Sequence, residues 1–175
     1  MSAPFSTYRS KVRREWLDYN GHMHDASYGI VLSDANEELF AGLGLSADYR
    51  EATGASLYTV ESHIRYLAEC ALGEALTAST ILVSADARKM HLHTELLHED
   101  GHPVATGEFF YLHVDAALGK VTPMPLDRHK RVLEMLAAHA ALPRPSHLGR
   151  GLAAQAVGAD PRPRRLDGVA GIEPA

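Results

Sequence analysis

The chain is poor in several things, and each shortage narrows what it can be. It has one cysteine, Cys70, in 175 residues. No internal disulfide framework is possible, and a reducing compartment fits. A single cysteine of this kind is most often a small buried apolar group rather than a nucleophile. No stretch approaches the roughly 20 consecutive apolar residues that cross a bilayer, and "MSAPFSTYRSKVRREW" lacks the apolar run of a secretory signal. The expectation is therefore a cytoplasmic protein without membrane attachment. Basic residues are not in excess: the formal net charge is −5, which argues against a nucleic-acid partner. Aromatics make up only 7% of the chain.

What is present is ordinary globular material. Hydrophobic residues make up 46% and charged ones 22%, enough for one core in a domain of this length. "TYRSKVRREWL" alternates from Tyr8 to Trp16 and predicts a first strand. "YGIVLSDANEELFAGLGL" carries apolar residues at 28, 31, 32, 35, 39, 40 and 43, one helical stripe. Asp25 or Ser27 would cap its start, and Gly42 or Gly44 would end it.

Four β-rich runs follow: "ASLYTVESHIRYLA", "ALTASTILVSA", "KMHLHTELLH" and "PVATGEFFYLHVD". Asp100-Gly101 is a hairpin signal, "ADARK" makes another reversal, and short turns predict an antiparallel meander. "PLDRHKRVLEMLAAHAAL" reads as a second helix starting at Pro125 or Asp127. An α+β domain over residues 1–140 results, with a helix covering one sheet face. Five of the nine prolines lie from Pro143 onward, so 141–175 reads as a Pro/Arg/Gly-rich tail.

"EWLDYNGHMHDASYG" crowds an acid, an amide, a glycine and two histidines into a strand-to-helix junction. Asp18 alone suits a turn, since Asp recurs there for local hydrogen-bonding reasons. Gly21 predicts positive φ or a close backbone approach. With the element order, the acid three residues before a glycine and Tyr28 after a short polar run, the sequence resembles the hot-dog acyl-CoA thioesterases of the 4-hydroxybenzoyl-CoA thioesterase type. Together with "TVESHIRYL" and "ATGEFFYLHVD", the longer junction is most similar to betainyl-CoA thioesterases of carnitine breakdown.

The resemblance implies a hot-dog fold, a curved antiparallel sheet wrapped around a central helix. It implies hydrolysis of a short acyl-CoA without a cofactor or catalytic metal. Asp18 is then the nucleophile or the base for water, and the Asp25 backbone amide the oxyanion donor. The chemistry suits the place, because a helix start offers unpaired amides and a favourable dipole to developing negative charge. Asn20, His24 and Tyr28 are candidates for positioning substrate. Alternation puts Glu61, His63 and Arg65 on one face of their strand. Since acyl-CoA sites of hot-dog dimers lie between protomers, Glu61 and His63 are expected to reach the partner's junction. Arg88 and Lys89, at a reversal, are candidates for the coenzyme A phosphates. A quaternary-ammonium acyl group would draw on Trp16, Tyr19, Tyr28 or Tyr58, with Glu61 as the acid. A homodimer or homotetramer is expected because the sheet leaves an edge to pair.

Four rivals share parts of this pattern. Zinc at "HLH" 91–93 with Glu95, or at "HMH" 22–24, lacks a full ligand set in the sequence. A hot-dog enoyl-CoA hydratase also uses Asp, Asn and His at the helix start, but Gly21 stands where that pattern has proline. A non-catalytic acyl-CoA-binding module is the third, and Glu37 or Glu38 as an alternative acid the fourth.

Overall fold

The computed structural model describes residues 3–145 and 147–149. Its strands in chain order are β1 (Arg9–Lys11), β2 (Ala55–Tyr66), β3 (Ala75–Ala85), β4 (Lys89–His98), β5 (Pro103–Asp115) and β6 (Lys120–Val121). The helices are α1 (Asp25–Leu43), α2 (Ala47–Thr53) and α3 (Leu126–His139), with a 3-10 turn at Arg14–Trp16. The strands form one antiparallel sheet in the order β1-β3-β4-β5-β2, with β6 on the end of β5. Its curl around α1 is the hot-dog arrangement.

The stripe on α1 is buried as its spacing predicts: Tyr28, Val31, Leu32, Ala35, Leu39, Phe40 and Leu43 all lie in the core. The opposing surface comes from Leu76, Ala78 and Leu82 of β3, Met90, Leu92 and Leu96 of β4, and Phe109 and Tyr111 of β5. Gly107 permits the helix to come close. A Cβ there would collide with the Phe109 ring and lie 3.1 Å from Leu32 Cδ1. A polar chain crosses this otherwise apolar contact. Asn36 Nδ2 donates to Tyr111 Oη at 2.9 Å, Thr94 Oγ1 donates to Asn36 Oδ1 at 2.6 Å, and Thr80 meets Thr94 at 3.1 Å. These bonds fix both the rotation and the height of α1 on the sheet.

Three expectations change. The first strand stops at Lys11, whose partner is Ala75, the first residue of β3; beyond it there is no strand to pair with, and the chain turns so that Trp16 enters the core. The meander holds for β3, β4 and β5 only, because β2 pairs along β5 instead of β3 and so lies at an edge. His24 occupies the N-cap position of α1 in place of Asp25 or Ser27, while Gly44 at φ +75° ends the helix as expected. Pro125 does cap α3. That helix docks where β3 bulges, and His139 Nδ1 accepts the Leu82 N–H at 2.8 Å. Of the expected tail, residues 146 and 150–175 lie outside the described residues.

Candidate active site

The junction is a small hairpin feeding a helix. Leu17 bridges Met23, the Asp18 N–H donates to His22 O at 2.8 Å, and the Gly21 N–H donates to Asp18 O at 3.2 Å. Gly21 sits at φ +82° with open space around its Cα, so its role is the backbone angle rather than close approach. The Asp18 carboxylate folds over this turn. Its Oδ1 accepts the N–H of Asn20 at 2.7 Å and of His22 at 3.3 Å, and its Oδ2 faces Asn20 Nδ2 at 3.5 Å. Partial desolvation works to raise the Asp18 pKa. The amides of Asn20 and His22, the Asn20 side chain and the nearby His22 together outweigh it, and the carboxyl stays below its ordinary value.

The next residues anchor the helix start. Trp16 O accepts the His24 N–H at 2.8 Å and the Ser27 hydroxyl at 3.3 Å, and the Met23 N–H donates to Cys70 O at 2.8 Å. In the first turn of α1 the Ala26 N–H lies 2.8 Å from Asp25 Oδ1 and 3.1 Å from His24 Nδ1. His24 Nδ1 and Asp25 Oδ1 are themselves only 2.7 Å apart. One nitrogen cannot both accept from Ala26 and donate to Asp25. The shorter contact assigns the proton to Nδ1 and the Ala26 N–H to the Asp25 carboxylate. Among the described residues, the Asp25 N–H has no acceptor.

Asp18 and Asp25 open on a cleft of ≈ 530 Å³ whose far wall is the end of β2 and the segment after it. Tyr66, Leu67, Ala68 and Glu69 form that wall, and Met23 and Tyr28 form the floor. The Tyr28 hydroxyl donates to Ala68 O at 3.0 Å, and its ring meets Tyr66 edge to face at 5.4 Å. Burial raises the Tyr28 pKa, aided by the neighbouring Cys70; burial and then the charge of Asp25 raise that of Tyr66. Both phenols stay neutral. Three carboxylates and two aromatic rings thus surround one opening.

The structure brings Asp18, Asp25 and Tyr28 together, with Asn20 and His24 on the flanking turns. Glu61 and His63 lie mid-β2 on the outer face and do not line this cleft within one chain. Arg88 and Lys89 stand at the other end of the sheet. Tyr66 pairs with Ala105 and Lys89 with Leu112, seven residues further along β5, or about 24 Å. Asp86 Oδ1 accepts the N–H of Arg88 at 2.8 Å and of Lys89 at 3.1 Å, which closes that reversal. Trp16 is buried with Arg13 stacked over it, while Tyr19 is 97% exposed.

Glu37 and Glu38 face solvent, and Glu38 accepts the Thr7 hydroxyl at 2.7 Å. Cys70 is fully buried and its thiol pKa is raised by that burial, so it stays protonated. Sequence reasoning missed Tyr66 and Glu69 as site residues. The signal that reveals them is the His22–Ala71 bridge, a contact across about fifty residues that no local pattern encodes.

This fold has counterparts among known proteins. The chain belongs to the Thioesterase-like superfamily, whose sequence model matches residues 12–138. It is 44% identical over 151 residues to the L-carnitine dehydrogenase/betainyl-CoA thioesterase of Agrobacterium fabrum, covering 86% of this chain and 31% of that protein. It is 38% identical to the betainyl-CoA thioesterase of Pseudomonas aeruginosa, covering 86% of this chain and 95% of the relative. The chain therefore spans less than a third of its two-activity relatives and nearly all of the single-activity one. Among solved structures, it resembles a hypothetical protein from Staphylococcus aureus in complex with CoA at 27% identity and TM-score 0.79, over 86% of this chain and 96% of that one. A putative thioesterase from Pseudomonas putida is similar at 30% identity and TM-score 0.74, over 85% and 96%. Among the described residues, no helix is long and apolar enough to cross a membrane.

Proposed function

We propose that the chain hydrolyses the thioester of a short cationic acyl-CoA, betainyl-CoA, to glycine betaine and coenzyme A. The observation that carries this reading is the cleft at the start of α1. Asp18 and Asp25 line it together with Glu69, Tyr28 and Tyr66, which supports Asp18 as the acid and the Asp25 N–H as the oxyanion donor. A trimethylammonium group is stabilised by carboxylates and by aromatic faces, so this lining favours a cationic acyl group over a neutral one. The relatives named for betainyl-CoA support the same substrate.

In the reaction the Asp25 amide receives the oxygen that becomes negative as the carbonyl is attacked. Asp18 either adds to the carbonyl itself or takes a proton from the attacking water. The C–S bond then breaks and the sulfur leaves as thiolate and is protonated. On the water route the water oxygen becomes the acid's second oxygen; on the covalent route water opens the Asp18 anhydride, at either carbonyl, and releases the acid. Single turnover in H₂¹⁸O, followed by mass spectrometry of the protein, tests the covalent route, because label in Asp18 requires an anhydride opened at the Asp18 carbonyl. Asn20 and His24 hold the two sides of the cleft in place.

The same three carboxylates would repel the coenzyme A phosphates, so these need cations from elsewhere. We read β2 as the pairing edge of a homodimer: it closes the sheet on one side and exposes Tyr58, Val60 and Tyr66. Two-fold antiparallel pairing there lays opposite sheet ends side by side. Arg88 and Lys89 of the partner subunit then approach the cleft, with Glu61 and His63 at the seam. A homotetramer would pair two such dimers. Residues 1–140 form the thioesterase domain and 141–175 an appended segment, and a cytoplasmic location suits the lone buried thiol and the coenzyme A substrate.

The deciding experiment compares thiol release from betainyl-CoA with release from 3,3-dimethylbutyryl-CoA, its neutral isostere. Preference for the cation, lost in Asp18→Asn, is the expected result. Equal turnover of both would remove the substrate assignment. Full activity in Asp18→Asn would remove the mechanism.

A further inference from the structure

On the outer face of the sheet, away from the cleft, β4 presents His91, His93 and Glu95. His91 Nε2 meets Glu108 at 2.8 Å. His93 is different. It is 2% exposed although its face is the one opposite the core, because the segment after α3 lies over it. The His147 ring stands 5.1 Å from the His93 ring, and their Nε2 atoms are 3.2 Å apart. A ligating atom from each of His93, Glu95 and His147 lies within 4.8 Å of the other two.

We propose that His93, Glu95 and His147 form a binding site for a divalent transition metal of the zinc class, which clamps the segment after α3 to the sheet. The spacing carries the argument. Two imidazole nitrogens bound to zinc at 2.0–2.1 Å in a tetrahedron lie about 3.3 Å apart, and the two Nε2 atoms already stand at 3.2 Å. Two converging imidazoles with one carboxylate select zinc, cobalt or nickel over magnesium or calcium, which prefer oxygen ligands. Three protein ligands leave the fourth position to water.

Supporting groups surround the cluster. Glu108 pairs directly across from His93 in the sheet register and adds negative charge beside a cation. Glu108 also accepts the Gly149 N–H at 2.9 Å, which already ties the same segment to the same place. The ligands come from β4 and from a residue more than fifty positions later, so a bound ion joins parts that the chain connects only at a distance. None of the three lines the catalytic cleft, and the clamp is independent of the hydrolytic step.

The test uses full-length, untagged protein stripped with chelator, then titrated with Zn²⁺ by calorimetry and with Co²⁺ by visible absorption. The expected result is one ion per chain, with Co²⁺ bands typical of four- or five-coordination. Zn²⁺ should raise the melting temperature of the wild type, since it binds only the folded arrangement. His147→Ala and Glu95→Gln, both partly exposed positions, should each weaken binding at least tenfold while leaving circular dichroism unchanged. The double variant His98→Ala/His102→Ala, at the other histidine-rich cluster, should bind as the wild type does. Substoichiometric uptake, uptake that survives His147→Ala and Glu95→Gln, or loss only in the His98/His102 variant would overturn the proposal.

Discussion

Asn36 offers a sharp test of how the central helix is seated. Its side chain is fully buried, as are Thr80 and Thr94, and Tyr111 is 3% exposed. Replacing Asn36 by Leu keeps the branching at Cγ in a somewhat larger side chain but deletes one donor to Tyr111 Oη and one acceptor for Thr94 Oγ1. Thr94 still has Thr80 at 3.1 Å, so its hydroxyl keeps a partner. Tyr111 loses its main donor inside the core and keeps only the contact with Thr59. Two net hydrogen bonds at about 1 kcal/mol each, with a partly orphaned buried hydroxyl, total about 2–4 kcal/mol. For a domain of this size, with a urea m-value of about 2 kcal/mol/M, the midpoint should fall by about 1–2 M. The measurement is urea unfolding at one protomer concentration, because any dimer makes the midpoint concentration-dependent. The second arm is Asn36→Leu/Tyr111→Phe. Removing both polar partners should return about 1–2 kcal/mol, since nothing buried is then left unpaired at that contact. A single variant within about 0.5 kcal/mol of wild type, or a double variant no more stable than the single, would show that the polar chain does not hold the helix.

Further predictions concern the junction. Asp18→Asn should lower kcat by about 10²–10⁴ with coenzyme A affinity in calorimetry unchanged; an effect on affinity alone would contradict its placement. Because the folded Asp18 pKa is depressed, its charged form persists as pH falls. The acid limb of kcat/KM should lie below the ordinary aspartate value, and any stability it contributes is present above its unfolded pKa and lost as pH drops through the lower folded one. An acid limb above that ordinary value would be inconsistent with the amide contacts. Gly21→Ala meets no steric obstacle but must adopt φ +82°, at a cost of about 1–2 kcal/mol. Its kcat should fall more steeply than its stability. Tyr66→Leu and Glu69→Gln should each erode the preference for betainyl-CoA over its neutral isostere by about 3–30-fold, the worth of a partly desolvated cation–π or charge contact; unchanged selectivity in both would remove them from acyl recognition.

Much of the fold is readable in the residues because it follows from periodicity. The α1 stripe and the β2 to β5 runs carry their own spacing, and the strand bounds from Ala75 to Asp115 follow the alternation and the turn residues. What periodicity cannot encode is a partner. Nothing in "TYRSKVRREWL" reports that β3 begins only at Ala75, so alternation past Lys11 has no neighbour to use. The order of β2 is hidden for the same reason. Its backbone groups pair with β5, and the N–H groups of Leu67 and Ala68 continue onto Val104 O at 2.9 and 3.1 Å. The cleft's far wall inherits that invisibility, because Tyr66 and Glu69 reach the junction through this pairing and through the equally long-range His22–Ala71 bridge.

Asp18 shows why a bland and a chemical reading of one residue need not compete. The turn preference of aspartate comes from its carboxylate accepting amides two residues on, and Asp18 does this with Asn20. Those bonds engage Oδ1. They leave Oδ2 with one contact among the described residues, the 3.5 Å approach of Asn20 Nδ2, on a carboxylate that lines the cleft. A carboxylate held by one oxygen has lost most of its rotational freedom before any substrate arrives, and so presents its other oxygen at lower entropic cost. The same amides keep it ionised. An ionised, oriented oxygen at the cleft is what the proposed attack on a thioester requires, so the hydrogen bonds that make Asp18 a turn residue also suit it to the role proposed for it.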